Sequence, residues 1–178
     1  MTTSETPPAE SAERSEPALD ATERDMLDGW LEYHRETLAW KCSGLTDEQL
    51  KSAAVPSSAL TLLGLLRHMA EVERWWFTTV FGGEADAPVY STDEDPDRDF
   101  HFGPEDTYAE ALATWRGEIA AARAHAASHE LDELSAGTSR NGKHFTLRWI
   151  YTHMIEEYAR HNGHADLIRE AVDGSTGD

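Results

Sequence analysis

Glu157, His161 and His164 are residues of the types that bind divalent metals, and all three fall in one helical segment, residues 147–169. Leu147, Ile150, Met154 and Ile168 recur there at separations built from three and four, and Glu157, His161 and His164 fill the missing steps of the same seam. Burying such groups without partners costs roughly 2–7 kcal/mol each, so the pattern predicts a shared cation. Glu157 and His161 are four apart, leave one helix face a turn from each other, and can converge on one ion.

A second segment, residues 61–80, repeats Leu62, Leu65, Val72, Trp75 and Thr79, with His68 in the same register. Packed against the first segment, it would bring His68 to Glu157 and His161. Two neutral nitrogens and one carboxylate oxygen, with open positions left on the ion, suit catalytic zinc, and also nickel or iron. The plainer alternative is a hydrogen-bonded polar cluster that holds no metal. His153, four before Glu157, is expected to support the site rather than ligate, and His164 to line the pocket. A metal-bound imidazole usually donates its other nitrogen to an oxygen, and Glu71, Glu156 and Tyr158 are the candidates for that part. His125 and His129, also four apart, look like an exposed helix end and carry no site.

Composition limits what such a site can serve. The 178 residues are 39% hydrophobic, enough for one domain with a sizeable core. A formal charge of −19 argues against nucleic acid and anionic membrane as partners and is compatible with a small-molecule substrate. The single cysteine, Cys42, excludes a disulfide framework and a cysteine zinc site, and fits a reducing cytoplasm. No protein nucleophile stands out, since Cys42 has no evident partner and neither G-x-S-x-G nor a phosphate loop occurs.

The elements that must position these residues are helices. Residues 1–20, rich in Pro, Ser, Thr and Glu and without an apolar stretch, read as a disordered acidic leader rather than a signal or membrane segment. The bundle is expected over 21–172, with 173–178 a flexible tail. Its first helix should run from about Glu23 behind Thr22 as N-cap, followed by a helical turn at 45–50. The His68 helix ends at Gly82-Gly83 after Trp75-Trp76-Phe77, rings that would wall a pocket. The Asp- and Pro-rich stretch 84–104 is long for a compact domain and is expected to cover part of the site. Its acidic run 93–99 lacks the register of a calcium loop and reads as solvated. A third helix begins near Glu105, residues 128–145 form a loop or hairpin-like turn, and Thr146 caps the last helix. The predicted architecture is an all-α four-helix bundle.

The stretches LRWIYTHMIEEYARHNGHADLIRE and LLGLLRHMAEVERWWF resemble the metal-bearing helices of the DinB-like superfamily (DinB/YfiT-type bundles), in an actinobacterial branch, over about Glu23 to Ala171. The resemblance implies a divalent metal held by a histidine of the second long helix and two residues four apart on the last, here His68, Glu157 and His161. Glu157 departs from the commoner three-histidine set. Relatives of this type imply a transferase or isomerase that uses a low-molecular-weight thiol such as mycothiol, with the electrophile in the aromatic pocket. Arg67, Arg148 and Arg160 would then be candidates to bind the thiol. Two other readings stay open: a non-catalytic divalent-metal-binding stress protein, and a metal-dependent hydrolase with a glutamate base. A homodimer through a helix face is compatible with such a bundle.

Overall fold

A threonine starts every helix of the bundle. Its side-chain oxygen accepts the amide N–H three residues on, satisfying one of the donors a helix start leaves orphaned. In the computed structural model, which describes residues 14–85 and 87–177, Thr22 caps α1 (Glu23–Cys42), Thr46 caps α2 (Asp47–Leu50), Thr61 caps α3 (Leu62–Glu73), Thr107 caps α4 (Tyr108–Ala127) and Thr146 caps α5 (Leu147–Asp173). Thr46 forms a full capping box with Gln49. The α4 start lies three residues later than the sequence suggests, because Asp106 is committed to the loop, accepting from the Gly103 N–H and from Arg67. No β-strand occurs among the described residues, where an isolated antiparallel bridge joins Leu134 to Thr146. The fold is an all-α bundle.

Helix directions follow from which residues meet. Asp28 meets Tyr151, His34 meets Asn162 and Lys41 meets Arg169, so α1 and α5 run parallel. His68 faces His161 and Trp76 faces His153, so α3 and α5 run antiparallel. Arg67 reaches Asp106, Arg74 reaches Glu118, and Gly82 lies against His125, so α3 and α4 are parallel. Parallel neighbours in sequence need a connection the length of the bundle. That is why residues 82–107 are long.

Beyond Glu73 the α3 helix continues as a π-helix, Arg74–Phe81. The wider turn shifts the face each later residue presents: Phe77 and Val80 enter the core, while Trp75 and Trp76 stay half-buried at its edge. The core itself is built from Leu62, Leu66, Met69, Phe77, Leu147, Ile150, Met154 and Tyr158, with Leu31 and Leu38 from α1. Here the expected seam needs correcting. On α5 the fully buried position belongs to Tyr158, and Glu157 stands on its flank. On α3, Met69 is fully buried and His68 lies at the edge. A strict three-four alternation drifts off a helix of 3.6 residues per turn, and the larger, less charged neighbour takes the interior.

Inside that core sits a polar connection the sequence reading did not anticipate. Arg35 binds Glu73 through two bonds of 2.8 and 2.6 Å, Tyr158 Oη donates to Glu73 Oε1 at 2.7 Å, and Trp115 Nε1 donates to Tyr158 Oη at 2.9 Å. Each of the four long helices supplies one member. Of the expected leader, residues 1–13 lie outside the described residues. Residues 14–20 lie along α1, with the Arg14 guanidinium 4.4 Å from the Trp40 ring centre and Pro17 closed over Gly29. At the other end, Gly174 closes α5 in the left-handed conformation (φ 78°), and Lys41 Nζ bonds to the Gly177 carbonyl.

Candidate metal centre

The antiparallel pairing of α3 and α5 brings the three expected ligands together. His68, Glu157 and His161 each offer a donor atom within 4.8 Å of the other two. The His68 and His161 rings meet edge to face with centres 4.8 Å apart, and His161 Nε2 lies 3.6 Å from Glu157 Oε2. His161 is 9% exposed, whereas the side chains of His68 and Glu157 keep 24% and 22%. The cluster therefore opens to solvent along the rim of the bundle.

Its protonation suits cation binding. Burial, with His68 and His164 beside it, pushes His161 down to about 4, so the ring is neutral at pH 7 and keeps a lone pair for a metal. His164 Nδ1 lies 3.4 Å from His161 Nδ1 and takes the place of a neighbour rather than of a third nitrogen on the shared face. At His68, Nδ1 lies 2.7 Å from Asp99 Oδ2. A carboxylate accepts, so Nδ1 carries the proton and Nε2 is left as the donor to a cation.

Asp99 was not among the residues expected to do this. It belongs to the acidic run that reads as solvated, yet it is 4% exposed. The crossover puts it there: Arg67 donates to the carbonyls of Asp99 and Arg98 at 3.0 Å each, and Phe100 stacks on His68 with ring centres 4.9 Å apart. Gly64 makes that possible, since a side chain there would meet the Phe100 ring at 3.0 Å. Of the stretch expected to cover part of the site, Asp99 and Phe100 lie against His68. Of the three expected partners for the imidazoles, Glu71 binds the backbone N–H groups of Val89, Tyr90 and Ser91, Tyr158 belongs to the buried core network, and Glu156 pairs with Arg160. The sequence signal for Asp99 was faint: an acid before Phe-His in a loop, with no helical period to betray its direction.

His153 lies on the other side of Glu157. Its Nε2 lies 3.4 Å from Glu157 Oε1, and its ring stacks on Trp149 and meets Trp76 edge-on, at 4.9 and 4.7 Å. Phe145 completes an aromatic shelf against Trp76 and Trp149. Trp149 is 43% exposed, so the shelf faces solvent. Beyond it a recess of about 310 Å³ is bounded by Trp75, Trp76, Ser139, Arg140 and Asn141. Arg67 is buried and pairs with Asp106, while at the surface Arg148 pairs with Glu23 and Asp132 and Arg160 with Glu156. Cys42 is fully buried and its thiol is pushed up to about 12, which removes it as a nucleophile.

The chain was compared with known proteins. A family model described as Mycothiol-S-transferase matches residues 26–174. No curated protein matches the sequence. Among solved structures, a conserved protein from Enterococcus faecalis is similar in fold, with a TM-score of 0.61 at 11% identity, covering 87% of this chain and 99% of that one.

Proposed function

We propose, since the chain belongs to the mycothiol-S-transferase family, that it is a metal-dependent transferase joining a low-molecular-weight thiol of the mycothiol type to a small electrophile. His68, Glu157 and His161 would hold the metal. One observation carries this reading: two imidazoles and a carboxylate from two helices converge within 4.8 Å, one imidazole kept neutral by burial and the other turned by Asp99 to leave Nε2 free. Zinc fits the donor set best, with nickel or iron as alternatives. A divalent ion there would lower the pKa of a bound thiol from near 8.5 and so make thiolate available at neutral pH.

The chain's own groups do the rest. Asp99 holds the His68 proton on Nδ1, and His153 holds Glu157 Oε1 so that Oε2 turns to His161. Trp76, Trp149 and Phe145 offer an apolar wall beside Glu157 on which an electrophile can lie. With Cys42 buried, the attacking sulfur comes from the cofactor. Among the described residues no helix is long and apolar enough to cross a membrane; it is the family's low-molecular-weight thiol that supports placing the reaction in the cytoplasm.

The test has two parts. Purified protein should carry a divalent metal, and His68→Ala or His161→Ala should lose it; equal metal in wild type and both variants removes the ligand assignment. The loaded protein should then conjugate a dinitrobenzene- or bimane-type electrophile only when a thiol is supplied. Metal binding without thiol-dependent turnover across a thiol panel would make the protein a metal binder and not a transferase.

A further inference from the structure

We propose that α5 carries a second divalent-cation site, made by His153, Glu156 and Glu157, which shares Glu157 with the first. The two oxygens of Glu157 are divided between two imidazoles: Oε2 lies 3.6 Å from His161 Nε2, and Oε1 lies 3.4 Å from His153 Nε2. Glu156 Oε2 is 3.9 Å from the other ring nitrogen, Nδ1, and one ion would take a single nitrogen of the ring. One donor atom from each of His153, Glu156 and Glu157 lies within 4.8 Å of the other two.

Helix geometry explains the grouping. Positions 153, 156 and 157 are related as i, i+3 and i+4, so a single turn of α5 presents all three to one side and needs no other element to complete the chelate. The imidazole is already oriented, stacked on Trp149 and edge-on to Trp76, so little side-chain entropy remains to be lost on binding. A formal charge of −19 draws cations to the surface. Two features make the second site the weaker one. Glu156 is exposed, and its Oε1 is held by Arg160, so only Oε2 is left for the ion.

The inference rests on the reading above only in sharing Glu157. If both ions bind, the second stands between the first and the aromatic shelf and draws on the same carboxylate. Excess metal should therefore slow the transfer reaction that a single ion supports.

Equilibrium dialysis of the metal-free full chain against graded Zn²⁺, at a salt concentration that screens exposed carboxylates, reads the stoichiometry without any activity. Wild type should bind two ions per chain in separable steps. Glu156→Gln should lose the weaker step and retain the tighter one, and His153→Ala should lose the weaker step while also loosening the tighter one through Glu157, both with unchanged circular dichroism. Saturation of wild type at one ion overturns the proposal, as does a weaker step that persists in both variants. His68→Ala reports separately on the first site: it should remove the tighter step and leave the weaker, so loss of one assignment is distinguishable from loss of the other.

Discussion

At the scale of single residues, the site is defined as much by what holds the candidate ligands as by the ligands. Asp99 and His153 are the two such supports, one on each flank. Replacing Asp99 by Asn keeps the shape but lets the amide present either donor or acceptor to His68, so the Nδ1–H tautomer is no longer enforced. Metal affinity should fall about 10- to 100-fold, measured by competition with a chromophoric chelator, while helix content stays unchanged; an unaltered affinity would show that Asp99 has no hold on His68. His161 sets a pH dependence in the metal-free protein. Its pKa is about 4 in the fold against 6.5 for an unperturbed ring. Between these values the unfolded chain binds a proton that the folded one does not, so stability rises with pH across that window. The contribution is complete above about pH 6.5 and is lost as pH falls towards 4. Denaturant midpoints of the metal-free protein should show this slope, and His161→Phe should flatten it.

Between helices, the crossover decides what the site looks like. It is long because α3 and α4 are parallel, and α3 holds it by three successive kinds of contact. Arg67 binds its carbonyls, His68 its Asp99 carboxylate, and Glu71 the N–H groups of Val89, Tyr90 and Ser91. Tyr90 lies over the Arg67 guanidinium at 4.1 Å. Glu71→Ala strips an acceptor from three backbone donors. The fold should lose about 1–3 kcal/mol, and hydrogen exchange should quicken at 89–91 while the core of α3 keeps its protection. Exchange rates at 89–91 equal to wild type would show that the carboxylate does not restrain the loop. The helices were legible in the sequence because caps and apolar repeats are local: Thr22 and Thr146 mark their starts without tertiary information. Glu157 and His161 were legible for the same reason, being one turn apart on one helix. Asp99, Glu71 and the π-helical stretch were not, because each depends on a partner distant in sequence. A loop aspartate gives no sign of direction until its carbonyl is seen under Arg67.

Across the whole molecule, the buried Arg35–Glu73–Tyr158–Trp115 connection joins the four long helices and sets how closely α3 and α5 approach, since Glu73 and Tyr158 face each other across that pair. His68 and Glu157 ride on the same two helices, Glu157 next in sequence to Tyr158. A polar chain of this kind stabilises only while every member is satisfied. Glu73→Leu takes two carboxylate bonds from the Arg35 guanidinium, 4% exposed, and leaves it Glu32 at 2.7 Å, which should cost about 3 kcal/mol. Adding Arg35→Met removes the half-paired charge, so the double variant should be more stable than Glu73→Leu alone. Urea titrations of the wild type, the two single variants and the double variant form a cycle that measures the coupling directly. Additive losses would mean that the pair does not act as a unit. The same proteins test whether the connection positions the site. If it holds α3 at its distance from α5, the double variant should stay folded yet bind Zn²⁺ more weakly than wild type, because stability is regained without the bonds that place His68 opposite Glu157 and His161.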